Sequence, residues 1–562
     1  MRLTGVETNA DISERPDLNW IWPYLFFTLA VTGYNAFFLK YGFNATDEGW
    51  LLSLGNRIAD GEQPYRDFYF LITPLSIYIQ AALIRVFGDN YTVLASRIYW
   101  TVQMYILSVA ASTLYRKYVN RMELLFLLLT TYVISSMLIS FPWYSYDGVF
   151  WGTLAVICFY RKRYIPVGMA AFLAFLSKQN YIVLLPLFLA FCYFVRLLRI
   201  ETRQVDARSV GKMAIGFCVP ALAYLLYLTV AGTLGHFIKN VMVYPPETSN
   251  MSIWFALFQN NFSVLPIALP MLALAILLFF CRSKIWLLGL IVLIPLTLYM
   301  IIPKVAYFIF SIAFLNYTVL LLVLLRLKGK DEQIDRDFVL GFLPTQLFAI
   351  TVLYLAGNTF VGITFTYACS GVVLPLSYLM FKKLSPSPYR VQAAVLLFIA
   401  ILAVGSYQKF NYIYRDAGRP DLIAKFTSGK LRGIRSTPRN VGQIEGLIEA
   451  TRANTDRGDF ILVFPDFPVL YYLTERKNPT PVDWYYWRGI NKEIMVDAIQ
   501  ALAKNMPEVV FIQKYAEEDF KRKSSPIPYI GNSKHALLFS FVASEYDLAG
   551  QVGDVFMLTP RP

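Results

Sequence analysis

The sequence predicts an α-helical polytopic membrane protein with a small α/β domain at its C-terminal end. Three observations carry that expectation. Hydrophobic residues make up 57% of the 562 residues and charged ones only 16%, where a soluble chain holds about a quarter charged residues. Apolar stretches of about 20 residues, each enough to cross a hydrocarbon core of roughly 30 Å as a helix, recur along most of the chain, and its mean hydropathy is +0.48. Finally, Lys and Arg gather in short clusters between those stretches, as at Arg116-Lys117…Arg121, Arg161-Lys162-Arg163 and Lys382-Lys383. The net charge of +14 is therefore a topology signal and does not imply a nucleic-acid partner.

The first 19 residues are polar, lack a signal-peptide layout and read as a cytoplasmic tail, so the first span is an uncleaved anchor. Candidate spans follow near 20–39, 91–114, 122–140, 147–160, 164–177, 181–198, 211–231, 263–281, 285–302, 305–325, 338–356, 358–380 and 390–407. An apolar run at 69–87 is ambiguous in length. If it does not cross and the N-terminus is cytoplasmic, every strong basic cluster falls on the cytoplasmic side, as the positive-inside bias requires. Pro74 and Arg85 also suit a juxtamembrane or re-entrant element. The expectation is thus about thirteen transmembrane helices over 20–407, a first outer loop over 40–90, and residues 408–562 outside the plasma (inner) membrane.

That last region changes character. Apolar runs at 460–464, 509–512 and near 554–558 read as strands, and 469–473 and 491–504 read as helices; such alternation indicates a small α/β domain. It holds no Gly-rich phosphate loop. The five cysteines (Cys158, Cys192, Cys218, Cys281 and Cys369) all lie in or beside apolar segments and read as small packing residues. His236 and His535, the only histidines, share no ligand spacing. The acidic run from Asp331 to Asp337 reads as a solvated cytoplasmic loop.

The chemistry-bearing residues concentrate early. In Asn44-Ala45-Thr46-Asp47-Glu48-Gly49-Trp50, Thr46 suits an N-cap, and Trp50, Leu51, Leu54 and Ile58 give a helix lying along the membrane surface with an acidic start, ended by Gly61. Carboxylates in a first turn also simply complement the helix dipole. Here the pair stands beside the membrane and adjoins Pro64-Tyr65-Arg66-Asp67-Phe68-Tyr69. Asp147, in Trp143-Tyr144-Ser145-Tyr146-Asp147-Gly148, reads equally as a cap of the next span. Lys178, after Phe175-Leu176-Ser177, reads either as a functional cation near the membrane or as a snorkelling helix end.

Together, Asp47-Glu48 on a juxtamembrane helix, the Gly61…Pro64-Tyr65-Arg66-Asp67-Phe68 run, the Pro74-Leu75 segment and Phe175-Leu176-Ser177-Lys178 resemble GT-C fold glycosyltransferases. The likeness is to the bacterial relatives of protein O-mannosyltransferases and of the aminoarabinose transferases that modify lipid A. It covers roughly residues 20–200 by motif and the remainder by architecture. The resemblance implies inverting transfer of a sugar from a polyprenyl-phosphate donor to a lipid, glycan or protein acceptor on the outer face, amid membrane lipids. It implies Asp47 as general base, with Glu48 beside it as the second catalytic candidate. Lys178, Arg66, Asp147, Tyr65 and Gln179 are the candidate substrate contacts. Metal ligands are not identified, no cofactor is certain, and a divalent cation is the one cofactor the fold leaves open. The sequence departs from the aminoarabinose transferases in lacking their Lys before Pro-Pro-Leu: Phe70-Leu71-Ile72-Thr73-Pro74-Leu75 has no base, so phosphate binding falls to Lys178, Arg66 or another residue. The alternatives are a transporter or flippase, or a polymerase or ligase, for lipid-linked saccharides. A transporter predicts charges deep within spans and inverted repeats, and neither is expected here.

Overall fold

The computed structural model describes residues 20–136, 140–197, 206–244, 406–413, 415–485, 490–513 and 533–562, with isolated positions between 344 and 403. The described helices, numbered in order, begin with α1 (Ile21–Phe38), α2 (Asp47–Ala59), α3 (Leu75–Phe87), α4 (Thr92–Ser112), α5 (Arg121–Ser135), α6 (Tyr144–Tyr160), α7 (Tyr164–Ser177), α8 (Leu184–Leu197), α9 (Ala207–Val230) and α10 (Leu234–Ile238). Helices α1 and α4 to α9 occupy the expected spans up to 231. The expected spans beyond 263 lie almost wholly outside the described residues, as do the N-terminal tail and the acidic run at 331–337. By length and hydropathy together, one described helix, Ala207–Val230, is long and apolar enough to cross a membrane.

That helix shows how the sequence sorts its faces. Ile215, Val219, Leu222, Leu226 and Val230 recur every three or four residues and are all exposed, the stripe that a lipid-facing helix presents. Its opposite side packs on α7 through small residues. A Cβ on Gly168 would stand 2.1 Å from the Met213 carbonyl oxygen, and one on Gly216 would stand 2.1 Å from that of Ile165. Without a strong hydrophobic drive between helices in lipid, such close backbone approach supplies the packing. Helix α1 similarly exposes Leu25, Phe26 and Leu29 while burying Phe27, Val31 and Asn35. The Asn35 amide donates to the Tyr132 hydroxyl on α5. Helix α3 has 13 residues, a rise of about 20 Å, which falls short of a hydrocarbon core of roughly 30 Å.

The C-terminal region adds α11 (Pro438–Asn454), α12 (Val469–Thr474), α13 (Lys492–Lys504) and α14 (Ser533–Glu545). Its strands are β1 (Ala424–Lys425), β2 (Arg435–Ser436), β3 (Ile461–Phe464), β4 (Val509–Gln513), β5 (Tyr546–Val552) and β6 (Val555–Pro560). Strands β1 and β2 form a short antiparallel ribbon, and the rest a mixed sheet of order β3-β4-β6-β5 in which only β3 and β4 run parallel. The parallel step needs a crossover, and α12 and α13 lie within it. Strand β6 and helices α12 and α13 sit where the sequence puts them. Helices α11 and α14, the ribbon and β5 are additions.

Helix α2 joins the two halves. It was expected to lie along the membrane surface, yet Asp47 to Gly55 are all buried, because α12 covers it from the other side. A Cβ on Gly49 would come within 2.5 Å of the Val469 Cβ, so glycine is required for that approach. Backbone bonds seal the joint: Gly42 N–H donates to the Arg435 carbonyl at 2.9 Å, and Arg435 N–H to that of Lys40 at 2.7 Å. Apolar packing continues across it, with Phe43, Leu52, Ile84 and Val93 in one cluster with Leu431, Ile434, Val469 and Leu470.

Candidate active site

The start of α2 is shaped by Asn44. Its side-chain oxygen accepts the backbone N–H groups of Thr46 and Asp47 at 3.0 and 2.9 Å, the work expected of Thr46. The Thr46 hydroxyl turns instead to the backbone carbonyl of Asp466, 3.0 Å away in the C-terminal domain. Successive helical residues point about 100° apart, so Asp47 and Glu48 face different surroundings.

Glu48 faces the helical half. Both its oxygens accept from Arg97, at 2.7 Å each, and Arg97 also donates to the carbonyls of Leu39 and Gly42 at 2.9 and 2.8 Å. The two side chains are only 2% and 3% exposed. A carboxylate held by two charge-assisted bonds is the strong, fork-like arrangement, and it leaves Glu48 a structural anchor. Arg97 lies in the second turn of α4, near one end of the stretch read as a span. The signal was in the sequence, because an ionisable residue in such a stretch calls for a partner.

Asp47 faces the joint. Its Oδ2 accepts from Asn44 Nδ2 at 3.2 Å and lies 3.1 Å from Arg415 Nε. Arg415 Nη1 is 3.7 Å from Asp466 Oδ2, and the guanidinium stands 5.9 Å from the centre of the Trp484 ring. Burial pushes the Asp466 carboxyl up to about 7, with Arg415 pulling it down and Asp47 pushing it further up. Arg415 and Asp466 were not singled out from the sequence.

The other candidates separate into distinct places. Asp147, buried in the first turn of α6, accepts from Ser76 and, at 2.7 Å, from Gln103 Nε2. It therefore links α6 to α3 and α4 instead of capping its own helix. Tyr65 is buried at a positive φ of 73°, and its hydroxyl donates to the Ile72 carbonyl at 2.8 Å. Arg66 is 45% exposed and pairs with the adjacent Asp67, whose carboxyl it holds below the ordinary range. Gln179 donates to the Leu71 carbonyl at 2.8 Å.

Lys178 caps α7 at the end of an aromatic row. Trp50 on α2 lies 6.2 Å from Trp143, Trp143 lies 4.5 Å from Tyr144, and the Lys178 ammonium stands 5.7 Å from the Tyr144 ring centre. Lys178 has no ion-pair partner among the described residues, and desolvation lowers its pKa. A narrow cleft opens on the other side of α2, lined by Asn44, Glu48, Arg97, Lys409 and Tyr412. Lys409, buried there, donates to the Ser136 carbonyl at 2.7 Å and to the Ser140 hydroxyl.

A divalent cation finds no matching ligand set among the described residues. No three His, Cys, Asp or Glu side chains converge, Glu48 is taken by Arg97, and Asp47 and Asp466 already flank a guanidinium.

The sequence matches no protein-family model and no curated protein. The fold does match solved structures. The oligosaccharyltransferase AglB from Archaeoglobus fulgidus, solved with an inhibitory peptide and a dolichol-phosphate, has a TM-score of 0.52 at 13% identity, over 89% of this chain and 70% of its own. ArnT from Cupriavidus metallidurans gives 0.46 at 11% identity in its apo state, over 96% of this chain and 97% of its own. Bound to undecaprenyl phosphate, ArnT gives 0.45 at 10% identity, over 96% and 98%. The chain therefore shares the fold of AglB, a GT-C fold.

Proposed function

We propose that the chain is an inverting glycosyltransferase that moves a sugar from a polyprenyl-phosphate donor to a lipid, glycan or protein acceptor at the outer face of the membrane. The observation that carries this reading is the arrangement on α2: a carboxylate at its start, Asp47, and an aromatic row running from Trp50 to a lysine that lacks a carboxylate partner among the described residues. The GT-C architecture supports it, and AglB was itself solved with a dolichol-phosphate.

In the proposed reaction an acceptor hydroxyl attacks the anomeric carbon opposite the phosphate. Asp47 takes the hydroxyl proton as the new carbon–oxygen bond forms. The bond from the anomeric carbon to the phosphate oxygen breaks, and its electron pair leaves on the lipid phosphate. Lys178 meets the charge that grows there; an anion beside it would offset the desolvation that weakens its charged form. The aromatic row between them offers faces for the sugar ring. Glu48 and Asp147 hold helices in place and take no part in proton transfer.

The test is transfer of radiolabelled sugar from a panel of polyprenyl-phosphate sugars in membranes. Asp47→Asn should reduce transfer by about 10²- to 10⁴-fold, the usual share of a general base, at normal expression. Lys178→Ala should cost roughly 10²- to 10³-fold, as loss of a charge-stabilising donor does elsewhere. Full transfer by Asp47→Asn would remove Asp47 as base, and no transfer by wild type from any donor would favour a flippase.

A further inference from the structure

Arg415 stands where the helical half hands over to the C-terminal domain, and separate elements fix each group around it. Its backbone is held at φ 58°, a left-handed conformation that strains an L-residue and that persists where the surroundings over-determine it. The next residue does the holding: Asp416 accepts from the Phe43 N–H at 2.8 Å, the Ser436 hydroxyl at 2.6 Å and the Ala417 N–H at 2.8 Å. Asp47 is fixed by Asn44. Asp466 is fixed through its main chain, which donates to Gln513 Oε1 at 3.1 Å and accepts from Thr46 at 3.0 Å. The groups facing its carboxyl are Arg415, Asp47, Thr46 and the Trp484 indole. One guanidinium thus lies between two carboxylates from opposite halves of the protein, and it can neutralise only one of them.

We propose that Asp466 is a positioning residue for the base: by dividing Arg415 between itself and Asp47, it sets how strongly Asp47 holds a proton. This rests on the transferase reading above. When Asp466 is ionised it draws Arg415 away from Asp47 and adds a negative charge nearby, and both effects raise the proton affinity of Asp47. When Asp466 is neutral it no longer competes with Asp47 for Arg415, and Asp47 becomes a poorer base. Burial places the Asp466 titration near neutrality, so the C-terminal domain changes charge where a base is most useful.

The substitution Asp466→Asn keeps the size and both main-chain bonds but is permanently neutral. It should lower maximal transfer about 3- to 10-fold and abolish the rise in transfer as pH passes about 7, where Asp466 ionises in the wild type. Asp466→Glu should restore most of both. In purified protein without substrate, infrared titration should show a carboxyl band titrating near pH 7 that Asp466→Asn removes and Asp47→Asn moves down. An active wild type whose rise in transfer near pH 7 survives in Asp466→Asn overturns this proposal alone. A wild type that transfers no sugar from any donor overturns the transferase reading and this proposal with it.

Discussion

Glu48 and Asp47 are neighbours in sequence with the same chemistry, and each meets an arginine, yet the two faces of α2 treat them oppositely. On the Glu48 side the pair is closed: two bonds of 2.7 Å, two further carbonyls on Arg97, and almost no exposure. On the Asp47 side the contact is longer, the Arg415 side chain is 37% exposed, and a second carboxylate competes for it. A sealed pair locks structure and has no capacity to change. A shared pair with one partly exposed member can exchange partners and protons. The same helix start therefore provides an anchor and a reactive group one residue apart.

The comparison can be broken or sharpened, beginning with the anchor. Glu48→Gln should leave Arg97 buried without its counter-charge and cost about 3–5 kcal/mol of stability, read as a fall in thermal midpoint, with transfer per folded molecule largely kept. Loss of transfer at unchanged stability would reverse the roles of the two acids. Gly49→Ala pushes α2 off Val469, and overpacking of that kind costs about 1–3 kcal/mol; transfer should fall with it, because Asp47 and Asp466 would be drawn apart. The open side should also respond to pH. The folded protein keeps the Asp466 proton up to about 7, whereas the unfolded chain loses it in the ordinary carboxylate range. Between those limits the folded state binds more protons, so stability falls as pH rises, by at most about 1.4 kcal/mol per unit. Asp466→Asn should flatten that slope in thermal melts across the window. Smallest of all, Arg66→Gln removes a half-exposed pair worth under ~1 kcal/mol. Its donor KM should stay within about fivefold, and a larger rise would return Arg66 to the phosphate.

Periodicity and short motifs made much of this legible. The apolar runs up to residue 231 announced α1 and α4 to α9, and the acidic start with Trp50, Leu51 and Leu54 announced α2. They did not show that α2 is covered on both sides, because Leu52, Ser53 and Gly55 look like a solvated face until α12 is laid on it. Thr437-Pro438 is a capping signal for α11 that the sequence reading passed over. Arg97 was detectable as a charge within an apolar stretch. Arg415 and Asp466 were not, since a lone base after the last span and an Asp after Pro465 acquire meaning only when residues some 370 and 420 apart meet.

The bond from Phe43 N–H to Asp416 spans 373 residues, and this puts a clock on the protein's birth. At roughly 5–20 residues per second, the ribosome needs on the order of 20 to 75 seconds after making the first loop to make the partner that completes it. Throughout that interval the nascent α2 has its buried face bare and Asp47 without Arg415. The newborn chain therefore depends on whatever shelters that segment, and its site is finished only once Asp466, 420 residues beyond Thr46, has been made.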